Sequence, residues 1–410
     1  MTVTAGEATK PRPDSAKGAE RRALGVACGA HALHDGYTDL VYVMLPIWQS
    51  EFGLGFAALG LMKTVFSGTL AGCQIPAGLV AERLGAKTVL ALGTALAGVG
   101  YVLAGFSDSV AFLVAALFVG GLGASTQHPL ASSLIAHAFA GKRSLRALGT
   151  YNFAGDIGKM TLPATAALLL VAMPWREALI LLGGLGSIAA VAIFVAMPRL
   201  RDEPPRSLKN DNAGPARGAA RAYAFPCLLS VGIIDSATRM AFLTFLPFVL
   251  TAKGASIQTV GVALTLVFAG GAAGKLICAF IGARIGTVAT VWLTEAVTAA
   301  GIVALLPLPL EAALVVLPIV GVAVNGTSSV LYGSVPDLVE PAWRQRAFSI
   351  FYTGTIGAGA ISPAIYGLLG DVVGIPMALM AVAALVLVTL PITLVLRPAL
   401  TNLGARAALR

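Results

Sequence analysis

Gly78-Leu79-Val80-Ala81-Glu82-Arg83-Leu84-Gly85 and Ala279-Phe280-Ile281-Gly282-Ala283-Arg284-Ile285-Gly286 follow one pattern, and 201 positions separate them. The same offset carries Leu45-Pro46 onto Leu246-Pro247. An offset of 200 carries Arg146-Ala147 onto Arg346-Ala347 and Pro163 onto Pro363. Recurrence at nearly one offset over 410 residues predicts two halves of like architecture in parallel repeat.

Composition says what the halves are made of. Hydrophobic residues are 57% of the chain and charged residues 11%, against roughly 25% charged in an ordinary soluble domain. Mean hydropathy is +0.85. The apolar runs approach the ~20 residues that a helix needs to cross a bilayer. These features exclude a soluble enzyme, a disordered chain and a nucleic-acid-binding module. They predict an all-α polytopic membrane protein with twelve transmembrane helices. The spans fall near 23–50, 55–81, 87–106, 109–137, 147–173, 176–198, 222–250, 256–283, 287–306, 311–337, 346–370 and 375–396. Two pseudo-symmetric six-helix bundles, 23–198 and 222–396, are then joined by a basic linker rich in Pro and Gly at 199–221, with tails at 1–22 and 397–410.

The net charge of +9 is explained by its placement. With both termini cytoplasmic, inside segments hold 22 of the 28 Lys and Arg, and outside loops hold only Arg176 and Lys253. This is the positive-inside pattern of a multi-pass inner-membrane protein, and it requires no polyanionic partner. The tail 1–22 has no apolar run, so no cleavable signal is expected before the first span. Cys28, Cys73, Cys227 and Cys278 all lie in apolar stretches without metal-type spacing, and read as small buried hydrophobes. No P-loop is present, so neither ATP nor another cofactor is expected, nor enzymatic activity.

Gly78-x-x-x-Glu82-Arg83-x-Gly85-x-Lys87 resembles the G-x-x-x-D-R-x-G-R-K signature between the second and third spans of the major facilitator superfamily. Glu82 stands where that signature has Asp, and Ala86 where it has its first basic residue. The resemblance implies two rocking bundles and a gate made by Gly78, Glu82, Arg83, Gly85 and Lys87 that closes the cytoplasmic face. His31-x-x-His34-Asp35, Leu45-Pro46-x-x-x-Ser50-Glu51-Phe52 and Gly121-x-Gly123-x-Ser125-x-x-His128-Pro129 resemble the fosmidomycin-resistance branch. So does Gly141-x-Arg143-x-x-x-Ala147, running into Gly155-x-x-Gly158 and Pro163. The C-terminal half is similar to the superfamily only. The chain departs from the branch at His34, Leu130, Asp156 and Lys159, all expected in the cavity. The resemblance therefore carries the fold and leaves the substrate open.

Charges at bilayer depth cost ~2.5–3.5 kcal/mol each even on the lenient insertion scale, so they face a cavity or a partner. The set is Asp35, Asp39, Lys63, Asp156, Lys159, Asp235, Arg239, Lys275 and Glu295. All but Glu295 fall on spans that line the cavity in the superfamily. Glu295 is expected to pair with a polar group of a neighbouring helix. Asp35 and Asp39 are one turn apart and costly to ionise together, which makes them the proton-coupling pair, with His31 and His34 as relays. Lys63, His128, Asp156, Lys159, Asp235, Arg239 and Lys275 are the expected solute contacts. Spacing pairs Asp235 with Arg239 and Asp156 with Lys159, leaving Lys63 and Lys275 without a local acid.

Unpaired cations favour a small anionic, zwitterionic or amphipathic solute. The leading expectation is a secondary active transporter with proton-coupled efflux by antiport, and the alternative is proton-symport uptake of an organic anion. Transition-metal transport through His31, His34 and His128 rates lower, since such histidines more often serve as hydrogen-bonded relays, and no resident metal is expected. A non-transporting receptor also rates lower, since it has no use for so many buried charges.

Overall fold

A computed structural model of the chain describes residues 13–139, 142–198, 223–340 and 343–407. The expected linker at 199–221, residues 1–12 of the N-tail and residues 408–410 of the C-tail lie outside the described residues.

The N-terminal half comprises α1 (Pro13–Phe52), α2 (Phe56–Gly72), α3 (Gln74–Leu84), α4 (Ala86–Gly105), α5 (Val110–Ala124), α6 (Gln127–Ala138), α7 (Lys142–Ala172) and α8 (Trp175–Ala196). The C-terminal half comprises α9 (Ala224–Ala252), α10 (Ile257–Ile285), α11 (Thr287–Leu305), α12 (Leu310–Leu338), α13 (Arg344–Val373), α14 (Ile375–Leu387) and α15 (Thr389–Ala407). Among the described residues there is no strand. The second, fourth and twelfth spans are each two helices in tandem. The break at Cys73 bends the second span by 43°.

Ten described helical stretches are long and apolar enough to cross a bilayer, and the bent pair α2–α3 makes an eleventh. The twelfth is α1. Its 40 residues would suffice, but His31, His34, Asp35 and Asp39 lower its hydropathy. α1 also begins at Pro13, ten residues before the start read from hydropathy. Its first turns are polar, so hydropathy placed them in the tail.

The repeat is visible in the backbone. Gly85 ends α3 and opens α4 at φ +83°, and Gly286 ends α10 and opens α11 at φ +83°. Residues with a Cβ rarely adopt that conformation, which explains why both copies end in Gly.

Packing differs between the two ends of the bundles. One large core draws on both halves, from Tyr42 and Trp48 of α1 to Phe245 and Leu250 of α9. At the other end there are two separate cores, one around Ala27, Leu90 and Tyr151, the other around Leu228, Leu331 and Phe351. The bundles are thus sealed together where α1 and α9 finish, and apart where the Gly85 and Gly286 turns lie.

Close backbone approach forms the seal. A Cβ on Gly60 would strike the Pro363 carbonyl, and one on Gly367 would strike that of Phe56. Phe56 packs edge-on to Phe248 at 5.3 Å between centroids. The Asp371 carboxylate, from α13, accepts hydrogen bonds from the amides of Phe56 (2.6 Å) and Ala57 (2.9 Å). It supplies the oxygen acceptors that the α2 N-terminus lacks within its own chain segment.

Candidate functional site

Between the seal and the open end lies a cavity of about 530 Å³, lined by α1, α2, α6, α7, α9, α10, α12 and α13. Its walls are set by glycine. A side chain at Gly155 would collide with Asp35 and His31, and one at Gly158 with the Ala32 carbonyl. These positions let α7 press against α1, so that Lys159 reaches Asp35.

Asp35 is the centre of a network. Its Oδ1 lies 3.3 Å from His31 Nε2 and 3.8 Å from His34 Nε2, and its Oδ2 lies 3.5 Å from Lys159 Nζ. His31 Nδ1 hydrogen-bonds the Tyr151 carbonyl at 2.8 Å, and its ring stacks on Tyr151 at 3.9 Å. His128 packs edge-on to His34 at 4.8 Å and to His31 at 5.3 Å. Asp35, His31 and His34 are buried. A carboxylate touching two imidazoles and an ammonium can gain or lose a proton with partners ready to compensate.

One ligand atom each from His31, Asp35 and His128 lies within 4.8 Å of the others. A tetrahedral zinc site, with bonds near 2.0–2.1 Å, needs spacings of about 3.3 Å. The cluster would have to contract, and the Lys159 ammonium already occupies part of the Asp35 coordination sphere.

A second ion pair joins the bundles. Lys275 Nζ, from α10, donates to both oxygens of Asp156 on α7, at 2.6 and 2.7 Å. This overturns the pairing read from spacing. Asp156 pairs with Lys275 and not with Lys159, Lys159 pairs with Asp35, and Asp235 forms no ion pair with Arg239 among the described residues. The reason is location. α7 sits between α1 and α10, and side chains three residues apart turn to different neighbours.

The expected solute contacts divide. His128, Asp156, Lys159, Arg239 and Lys275 line the cavity. Lys63 stands behind the wall, 0% exposed. Its Nζ donates to the Thr38 carbonyl at 2.7 Å and lies 4.2 Å from the Tyr42 ring centroid. Asp235 and Asp39 are buried and are not among the lining residues. Lining residues absent from the sequence reading include Asn152, Asn325, Tyr332 and Tyr352. Asn and Tyr carry no formal charge, so a search for charges at bilayer depth passes over them. Only their occurrence in lining spans could have marked them.

At the open end Glu82 and Arg83 are exposed, and neither forms an ion pair among the described residues. A Cβ on Gly78 would meet nothing within 4 Å, so no close approach occurs there in this state. Lys87 lies over the Phe194 ring at 5.6 Å. Glu295, expected to pair with a neighbouring helix, is buried with its Oε1 unpartnered.

The profile described as Major Facilitator Superfamily matches residues 27–226 and 228–407. The chain belongs to the major facilitator superfamily. It is a multi-pass membrane protein. It is 24% identical to the fosmidomycin resistance protein of Escherichia coli (strain K12), over 85% of this chain and 86% of that one. It is 34% identical to "Probable sulfoacetate transporter SauU" of Cupriavidus necator over 163 residues, 39% of this chain. The matched stretch spans 37% of that relative, and 32% of the "Probable L-galactonate transporter" of Escherichia coli (strain K12). A solved bacterial homologue of the human lysosomal transporter Spinster, in an inward-facing and occupied conformation, superposes with TM-score 0.77 at 15% identity. It covers 96% of this chain and 99% of that one.

Proposed function

We propose that the chain is a proton-coupled transporter of a small anionic or amphipathic solute in the bacterial inner membrane, with both termini cytoplasmic. The single observation behind the anionic solute is Arg239. It lines the cavity, and no acid pairs with it among the described residues. A guanidinium in that position offers a carboxylate, phosphonate or sulfonate a two-pronged contact. Relatives whose names state a solute point the same way, since sulfoacetate and L-galactonate are acids.

Coupling follows from charge balance. Lys159 and Lys275 are held by Asp35 and Asp156. An arriving anion competes for both ammonium groups. An acid that loses its ammonium, beside a new negative charge, takes up a proton more readily. Anion and proton then favour one another's binding, which is symport. This local electrostatics raises the uptake alternative above antiport for a strongly anionic solute. For an amphipathic solute that occupies the cavity without drawing off Lys159, proton and solute exclude one another, and efflux by antiport results. The resistance that names the relative matched along most of the chain favours outward movement.

The test is transport in proteoliposomes with sulfonates, sugar acids and phosphonates, under pH gradients of either sign. Accumulation on the alkaline side supports symport, and accumulation on the acidic side supports antiport. Movement indifferent to the gradient rejects proton coupling.

A further inference from the structure

The two walls of the cavity are chemically unequal. Asp35, His128, Asp156 and Lys159 give the wall of the N-terminal bundle its ionisable groups. The C-terminal wall brings two cations, and one of them, Lys275, is bound to Asp156. That leaves Arg239 among neutral polar groups. Ser236 stands three residues before it on α9, on the same helix face. Asn325 and Ser329 come from α12, and Tyr352 and Thr355 from α13. Close backbone approach fixes their places. A Cβ on Gly359 would lie 2.7 Å from Ser236 Oγ, and one on Gly271 would lie 2.7 Å from Asn325 Nδ2.

These groups divide by what they have left to offer. Asn325 Nδ2 donates to the Gly321 carbonyl at 3.1 Å, and Thr355 Oγ1 donates to the Tyr352 carbonyl at 3.0 Å. Their side-chain oxygens remain as acceptors. Ser236, Ser329 and Tyr352 form no side-chain hydrogen bond among the described residues, although Ser236 is only 4% exposed. Each of these three hydroxyls can donate as well as accept. An alkyl body laid along this wall would cover donors and acceptors and satisfy neither, which is costly for every group left unpaired. An aromatic body would need a free ring to stack on. The Tyr332 ring in this wall is packed against Phe348 at 6.3 Å and Phe351 at 5.1 Å. Solute hydroxyls donate and accept at once, and so answer both kinds of group. The wall is also long enough for a row of them. Tyr352 lies seven residues from Gly359 toward the open end of α13, which is about 10 Å of helix.

Resting on the anionic reading of Arg239, we infer that the solute is a polyhydroxylated carboxylic acid of the sugar-acid class. Its carboxylate meets Arg239, and its hydroxyl groups meet Ser236, Ser329 and Tyr352. The hydroxyl-bearing wall then selects among anions that the guanidinium alone would accept alike.

The test is calorimetric titration of the purified full-length chain in detergent. Gluconate, galactonate and glucuronate are compared with hexanoate, which keeps the carboxylate and the carbon count without the hydroxyls. Sorbitol, which keeps the hydroxyls without the carboxylate, completes the set. At least one sugar acid should bind roughly tenfold or more tighter than hexanoate, and sorbitol should bind more weakly than that acid by a similar factor. Ser236→Ala and Tyr352→Phe should each weaken the sugar acid about two- to tenfold. Both should leave hexanoate unchanged, which also shows that the variants fold. Arg239→Gln should weaken both kinds of acid together. Hexanoate as tight as every sugar acid, with both lost in Arg239→Gln, would overturn the hydroxyl assignment and keep the anionic solute. Acid binding indifferent to Arg239→Gln would overturn the anionic reading, and this inference with it. Sugar-acid binding that neither Ser236→Ala nor Tyr352→Phe alters, or no binding by any of the three sugar acids, would overturn the inference as well.

Discussion

Lys275 reaches from the C-terminal bundle to grip both carboxylate oxygens of Asp156 in the N-terminal bundle. This ion pair joins the two bundles and lines the cavity, so on the proposed function an arriving anion exchanges with it. Lys275→Ala should weaken binding of an anionic solute about tenfold, the size of one charge-assisted hydrogen bond. Asp156→Asn should strengthen it, because Lys275 is then free. Titration of solute into detergent-purified variants checks both signs. Weaker binding in Asp156→Asn would place the solute on the acid instead.

Lys63 should behave differently. It is enclosed by the Thr38 carbonyl and the Tyr42 ring. Lys63→Met should leave solute affinity within about twofold, since no contact is lost, and should alter thermal stability instead. A tenfold loss of affinity with unchanged Tm would put Lys63 in contact with solute after all. The sequence pattern made Lys63 and Lys275 equivalent, as two membrane cations without local acids, and the fold separates them. Membrane depth is legible from hydropathy, and so are the twelve spans and the Gly85 and Gly286 turns. Which helix a side chain faces is not. Asp156 and Lys159 are natural partners by spacing, yet each bonds across a helix boundary that only the packing of α7 between α1 and α10 creates. Tyr151, which cradles His31, left no trace in hydropathy or charge.

Asp371 is the clasp of the sealed end. Replacing its carboxylate removes two bonds to the α2 N-terminus, worth about 1 kcal/mol at an exposed cap. Asp371→Ala should therefore shift the balance about fivefold toward opening at that end. Labelling of a cysteine introduced at Thr38 by an impermeant maleimide, added from the periplasmic side of cells, should speed up accordingly. Unchanged labelling would mean that the apolar contacts of Phe56 and Gly60 hold the seal alone.

Glu82 and Arg83 form no ion pair among the described residues, so the expected gating role belongs to the opposite state. Glu82→Gln and Arg83→Ala should slow turnover severalfold and leave solute affinity within a few-fold. Initial rates and equilibrium binding on the same preparations separate the two effects. Normal turnover in both variants would reduce the loop to a solvated charge pair.

Asp35 carries the central claim, because it touches His31, His34 and Lys159 at the cavity wall. The decisive measurement is solute accumulation in proteoliposomes with and without an imposed pH gradient, for wild type and Asp35→Asn. Asn retains the shape and a hydrogen-bonding oxygen but cannot take up the proton. The account predicts that Asp35→Asn binds solute and exchanges it down its own gradient, while the pH gradient drives no accumulation. A response to the gradient equal to wild type would contradict it, and would send the proton through another acid.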